Sequence, residues 1–431
     1  MKKLTIAALV IGVALMLAVP AGAVDIAWDG YLRVRGFLEQ NAPMVDQKAN
    51  AAGNLRHNDS YNAYYDMRWR TNWTLTVNDY LRIRSRWRAL NQNGGTPASG
   101  DADNFQFERA WMLVQTPYGL FEAGKMITQV FGTGFLDNET EVFRLNYSTK
   151  IADKVVFVAT VQKPVEGDGG DNNPNVRWNM GDNDVDVYAF ALVYPTENWS
   201  IGSLQVLLRN AQTEGNVMRY SADPYFIGKF GNLALQAEGQ FYLGDGPNTA
   251  AGKSTNYKAY AFNAEGTYDL GMASVQLGFA YCSGDNDPTD GDIENLPLGS
   301  DWEKFYILFG TTGNAYEDLG GIGNFATTGN TAGFTTVYGG VSTNLTEQLN
   351  VGLSAAWAQA NETTGGISDK AGTEVDLRIN WTFYDNLTYS VIGAYLFAGD
   401  FWKDSAEGVY GVNNVDSSNP WALFHALQLN F

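Results

Sequence analysis

The residues of this chain best placed to do chemistry are its arginines. Ten of the 15 lie between residues 33 and 109. Arg33 and Arg35, Arg68 and Arg70, and Arg82, Arg84, Arg86 and Arg88 recur at a spacing of two on three successive segments. That spacing puts side chains on one face of a β-strand, whereas a helix would scatter them around its circumference. Neighbouring strands lie about 4.8 Å apart, so three such faces side by side make one basic patch. Guanidinium forks bind carboxylate and phosphate, and ladders of charge in a pore sort ions by sign. Arg109, Lys125 and Arg144 are the candidates to extend the patch. A structural role competes with this one, because Asp66, Glu108, Glu122, Asp137, Glu139 and Glu141 are placed to pair with the arginines and hold a loop.

Other chemistries find little support. A single cysteine, Cys282, excludes an intrachain disulfide framework and a four-cysteine metal cluster. The two histidines, His57 and His425, lie far apart and have no recognisable partner motif. The reading is therefore of no enzyme, with no catalytic residues, no metal and no cofactor. A net charge of −19 argues against a nucleic-acid partner. The acidic, Gly-rich stretches Glu166 to Asp171 and Asp285 to Asp292 read as solvated loops, since the second lacks the spacing of a calcium loop.

The elements that position the arginines follow from the rest of the chain. Met1-Lys2-Lys3, an apolar run from Leu4 to Val19 and Pro20-Ala21-Gly22-Ala23 read as a signal peptide, residues 1–23, cleaved after Ala23. Beyond it, segments of about ten residues alternate apolar and polar side chains. In Tyr61 to Val77, Tyr65, Met67, Trp69, Trp73 and Leu75 share one face, and Asp66, Arg68, Arg70 and Asn72 the other. Connections alternate between short turns, such as Asn78-Asp79 and Asp385-Asn386, and long polar loops, such as 41–59, 91–103, 164–182 and 283–333. The pattern predicts an all-β fold over residues 24–431: a transmembrane, antiparallel, up-and-down β-barrel with short periplasmic turns and long extracellular loops. The strand count is 18, with 16 as the alternative because the segment 222–230 is short. Arginine facing lipid near the midplane would cost roughly 2–4 kcal/mol, so the patch is expected to face the lumen. His425 has the parity of the lipid-facing Leu427 and Leu429. The 58 Trp, Tyr and Phe residues suit a wall that touches two lipid–water interfaces.

Three stretches carry a resemblance. Leu427-Gln428-Leu429-Asn430-Phe431 looks like the C-terminal assembly signal of outer-membrane barrels, with Phe431 as its terminal residue. Phe107-Glu108-Arg109-Ala110-Trp111 with Tyr118-Gly119-Leu120-Phe121-Glu122-Ala123-Gly124-Lys125 resembles a hairpin of Gram-negative porins. Gly372-Thr373-Glu374-Val375-Asp376-Leu377 and Gly393 through Asp400 look like closing strands of alginate-export-like barrels. The porin resemblance implies that Lys125 faces the lumen and that residues 126–140 fold inward as a constriction loop, carrying Asp137, Glu139 and Glu141 against the basic wall. It also implies passive passage of small hydrophilic solutes, which the arginine patch would bias toward anions, an outer-membrane lipid environment in a Gram-negative bacterium and the barrel-assembly machinery as a partner. Classical porins are homotrimers and alginate-export-like barrels monomers, and the sequence does not decide between them. The alternatives are an exporter of an anionic polysaccharide, which the alginate-export resemblance implies, and a purely structural barrel. The 283–333 connection is too long for an idle turn and is expected to act as a lid or plug.

Overall fold

The computed structural model describes residues 24–40, 47–49, 55–57, 61–94, 105–128, 130–135, 137, 139–166, 184–211, 217–246, 255–287, 290–296, 302–310, 332–363, 365–410 and 416–431. The signal peptide, residues 1–23, and the first-loop His57 side chain lie outside what it describes. Eighteen strands form the wall. They are β1 (Asp25–Gln40), β2 (Tyr61–Asn78), β3 (Leu81–Gly94), β4 (Phe105–Thr116), β5 (Gly119–Ile127) and β6 (Glu141–Lys150). The next six are β7 (Val156–Val165), β8 (Val185–Pro195), β9 (Trp199–Asn210), β10 (Val217–Phe230), β11 (Leu233–Gly246) and β12 (Thr255–Asp269). The ring ends with β13 (Ala273–Cys282), β14 (Phe334–Asn344), β15 (Leu349–Ala360), β16 (Lys370–Tyr384), β17 (Leu387–Ala398) and β18 (Trp421–Asn430). One helix, α1 (Asp400–Tyr410), follows β17. Each strand pairs antiparallel with its sequence neighbours. The sheet closes where β1 meets β18, from Tyr31 opposite Asn430 to Gln40 opposite Trp421. A two-residue strand, Asp292–Ile293, pairs parallel to β12 outside this ring.

The count of 18 excludes the 16-strand alternative. The segment near 222–230 looks short because Pro224 interrupts it, yet β10 begins at Val217 and pairs with β9 over its full length there. Closure removes every sheet edge, which lipid would not tolerate. Phe431 completes it: its N–H donates to the Gly30 carbonyl and its carbonyl accepts from the Gly30 N–H, both at 3.0 Å.

The outward face is a lipid-facing surface. Trp28, Tyr80, Tyr118, Tyr194, Tyr268 and Tyr384 are exposed at the periplasmic ends, and Tyr65, Phe105, Tyr220, Tyr260 and Phe397 at the other ends. These are the two aromatic girdles of an outer-membrane barrel, with leucine and valine between them. His425 does face outward. Its ring lies over Gly36, with Tyr65 at 5.7 Å on one side and Tyr389 at 5.9 Å on the other. Glycine at 36 makes that seat, since a Cβ would stand 2.2 Å from His425 Nε2. Gly36→Val is expected to cost about 1–3 kcal/mol by forcing the imidazole off the wall, read as a lower urea midpoint of unfolding from vesicles.

Candidate functional site: a charged lumen crossed by two segments

The inward face carries the arginines. Arg33 stands opposite Arg68, Arg35 opposite Asp66, and Tyr31 opposite Arg70 across β1 and β2. Arg70 then faces Arg88, and Asn72, Thr74 and Thr76 face Arg86, Arg84 and Arg82 across β2 and β3. The ladder continues to Arg109 on β4, opposite Arg86. From Arg82 to Arg88 it rises about 20 Å at roughly 3.3 Å per residue.

The two roles foreseen for the arginines are divided along the ladder. At the upper end the charges are compensated. Arg35 Nε donates to Asp66 at 2.8 Å, with both side chains buried. Arg70 and Arg88 share Glu108, at 2.9 and 3.0 Å. Arg109 binds Glu139 at 2.9 Å and lies 3.5 Å from Glu141. At the periplasmic end they are not compensated. Arg86 donates to the neutral Asn72 side chain at 2.8 Å, and Arg82 and Arg84 are exposed to the lumen without a hydrogen bond or ion pair to any described residue. Arg35→Ala is therefore expected to be a stability variant. It leaves Asp66 buried and unpaired at a cost of about 3–5 kcal/mol, visible in urea unfolding and not primarily in conductance.

A β-bulge at Arg86 and Trp87 sets this pattern. Trp87 pairs with Phe107 and Arg86 with Arg109, leaving Glu108 as the extra residue. Phe107 then points outward while Glu108 and Arg109 both point inward, which simple alternation forbids. Lys125 does not join the ladder. Its strand pairs it with Ala110, on the face of the exposed Phe121 and Met112, so it is an outward residue two positions from the upper end of β5. There its long stem allows the ammonium to reach the membrane surface. Arg144 faces inward and donates to the Ile127 carbonyl at 3.0 Å. Glu122 binds Trp111 and Asn146 and makes no ion pair with a described residue.

Two segments cross the lumen. The first, 128–140, is tied at its base by the Thr128 N–H to the Thr140 carbonyl, and the Phe131 N–H donates to Asp137 at 3.2 Å. It reaches β10 and β11, where Thr133 donates its N–H at 2.7 Å, and its hydroxyl, to Glu238. The second, 302–310, is an apolar run, Phe305 to Phe309, within the long connection, and every residue of it is buried. The Ile307 and Leu308 N–H groups donate to the two oxygens of Glu374, at 2.6 and 2.7 Å. The Tyr306 N–H donates to Asp376 at 3.2 Å, and its hydroxyl donates to Glu39 at 3.3 Å. Burial pushes the Tyr306 hydroxyl pKa up, and the Glu39 carboxylate pushes it further, so Tyr306 stays a neutral donor. Lys304 binds Glu265 on β12 at 2.7 Å. The two segments meet where Phe135 packs edge-on against Trp302, with ring centres 5.4 Å apart.

The carboxylate that anchors the first segment lies across the barrel from the ladder. Glu238 on β11 is nine strands from β2 in a ring of 18, with Asp223 and Glu265 on the neighbouring β10 and β12, whereas Glu374 and Asp376 on β16 stand only four strands from β2. Asp223, Glu238 and Glu265 on β10 to β12 thus form an acidic wall opposite the basic one. Glu374 and Asp376 were quoted above only for their resemblance. The signal for their role was an apolar pentapeptide stranded in a polar connection, together with two alternating acids on a wall strand.

A sequence profile of the alginate export family matches residues 175–412, more than half of the chain. The chain belongs to the alginate export family. The matched span runs from the end of the fourth long loop into α1, and so holds the acidic wall and the 302–310 segment; the arginine ladder precedes it. No curated protein sequence matches the chain. Solved structures share the fold of this alginate-export barrel. Pseudomonas aeruginosa OccK8 (OprE) aligns with a TM-score of 0.54 at 12% identity, over 94% of this chain and 98% of that one. P. aeruginosa OpdQ aligns at 0.52 and 12% identity over the same shares. The P. aeruginosa outer membrane protein opdK aligns at 0.53 and 10% identity, over 94% and 99%. The barrel is porin-like and belongs to the outer membrane of a Gram-negative bacterium.

Proposed function

We propose that this barrel is a channel for passive diffusion of small hydrophilic anions across the outer membrane, drawn along Arg82, Arg84 and Arg86. The observation that supports this most is the lack of compensation at the periplasmic end of the ladder. Arg82 and Arg84 there face water without an ion pair to a described residue and Arg86 is held by the neutral Asn72, whereas Arg35, Arg70 and Arg109 above them are paired. A charge ladder in a pore concentrates counter-ions and excludes co-ions. The acidic wall opposite adds a field across the lumen where the 128–140 segment narrows it, with Asp137, Glu139 and Glu141 on that segment or at its end. Solute swelling of proteoliposomes tests this: small organic anions are expected to enter several times faster than cations of equal size. Equal rates for both signs would remove the anion track.

The second reading is export of an anionic polysaccharide, favoured by the family match. It differs in needing the 128–140 and 302–310 segments to withdraw before a polymer can pass. Under either reading lipid surrounds the barrel and Phe431 is the residue read by the barrel-assembly machinery.

A further inference from the structure

The acidic wall bounds a hollow that the ladder does not explain. Asp223 on β10 and Glu238 on β11 line a cavity of about 360 Å³ between the 128–140 segment and the wall. Asp223 is 5% exposed and Glu238 3%. Oδ1 of Asp223 is buried without a well-formed hydrogen bond, and the side chain is held by the Ser221 hydroxyl, at 3.3 Å, and by Gln240. Glu238 takes both Thr133 donors on one oxygen, Oε2. Neither carboxylate forms an ion pair with a described residue. The lumenal arginine on the same strand, Arg219, is engaged elsewhere, stacked 4.1 Å over the Tyr257 ring. Val187, Leu204, Val206 and Leu208 give the hollow an aliphatic side, and Asp137, Gln162 and Gln240 add polar groups to its lining.

Buried carboxylates without a cation are costly, and the cost is relieved when a ligand supplies the positive charge. A bare or hydrated metal ion would gain nothing from the valine and leucine side. A positive head on an apolar stem uses both surfaces. We infer that Asp223 and Glu238 form a binding site for a primary ammonium group carried on a short aliphatic chain. The site stands independently of the anion-channel reading, because it is read by binding and not by conduction.

The test is isothermal titration of the purified full-length protein in detergent with methyl-, ethyl-, propyl- and n-butylammonium chloride, and separately with calcium chloride. Affinity is expected to rise about fourfold for each added methylene as the stem covers the aliphatic side. Asp223→Asn and Glu238→Gln are each expected to weaken n-butylammonium at least tenfold; glutamine at 238 keeps an acceptor for Thr133, so the crossing segment stays in place. Val206→Asn, which leaves both carboxylates intact, is expected to weaken butylammonium more than methylammonium. No binding by any amine would overturn the inference and leave the two acids as neutral structural groups. So would an affinity that ignores chain length or the Asp223→Asn change, or calcium binding as tightly as butylammonium.

Discussion

Replacing Arg82, Arg84 and Arg86 together with alanine should lower single-channel anion conductance in 0.1 M salt by roughly tenfold while leaving barrel stability within about 1 kcal/mol. The size follows from Coulomb's law. One charge acting on an ion 6 Å away contributes about 0.7 kcal/mol in water and about 3 kcal/mol at an effective dielectric of 20, and three act together here. The small effect on stability follows from the structure, where none of the three forms an ion pair with a described residue. In 1 M salt the effect should shrink to less than threefold, because the screening length falls to about 3 Å. Arg35→Ala is the matched control, since its charge is already neutralised by Asp66. It should weaken the fold and change the low-salt conductance far less. Conductance recordings of the two variants at both salt concentrations decide this, and equal losses in both would contradict the division of the ladder.

The second large effect concerns the 302–310 segment. Glu374 and Asp376 accept three backbone N–H groups from it. Such hydrogen bonds contribute about 0.5–1.5 kcal/mol each, and leaving a buried N–H without an acceptor costs about 1–3 kcal/mol. Glu374→Ala with Asp376→Ala should therefore free the segment from β16, raise mean conductance at least about twofold and add open-channel noise. Glu374→Gln keeps one oxygen acceptor and should give a smaller increase. The Phe135–Trp302 contact predicts that the 128–140 segment loosens as well. A double-alanine variant with unchanged conductance would show that the apolar packing of Phe305 to Phe309 holds the segment without its latch.

What could be read from the chain in advance was whatever period two controls. The barrel, its 18 strands and the inward face of Arg33, Arg35, Arg68, Arg70 and Arg82 to Arg88 all follow from alternation, because a lipid-facing arginine is so unfavourable. What alternation does not carry is register. Asp66 reaches Arg35 from 31 residues away and Glu108 reaches Arg70 from 38, so which arginines are neutralised depends on how strands slide past one another. The bulge at Arg86 and Trp87 is of the same kind, since it turns Glu108 and Arg109 to one side with no local mark in the sequence. Lys125 was misplaced because a hairpin resemblance transferred a residue's side, whereas its pairing with Ala110 decides it. Glu374 and Asp376 were visible as alternating acids, but their role needed the fold, which brings Ile307 and Leu308 to Glu374 across 67 and 66 residues and Tyr306 to Asp376 across 70.

The central claim is that the uncompensated end of the ladder makes this lumen select for anions. The measurement that tests it most directly is the zero-current potential of the purified protein in a planar bilayer under a tenfold potassium chloride gradient. An anion-selective pore sets that potential toward the chloride equilibrium value, and in the Arg82, Arg84 and Arg86 alanine variant it should move toward zero. A wild-type potential at or beyond zero on the potassium side would contradict the account.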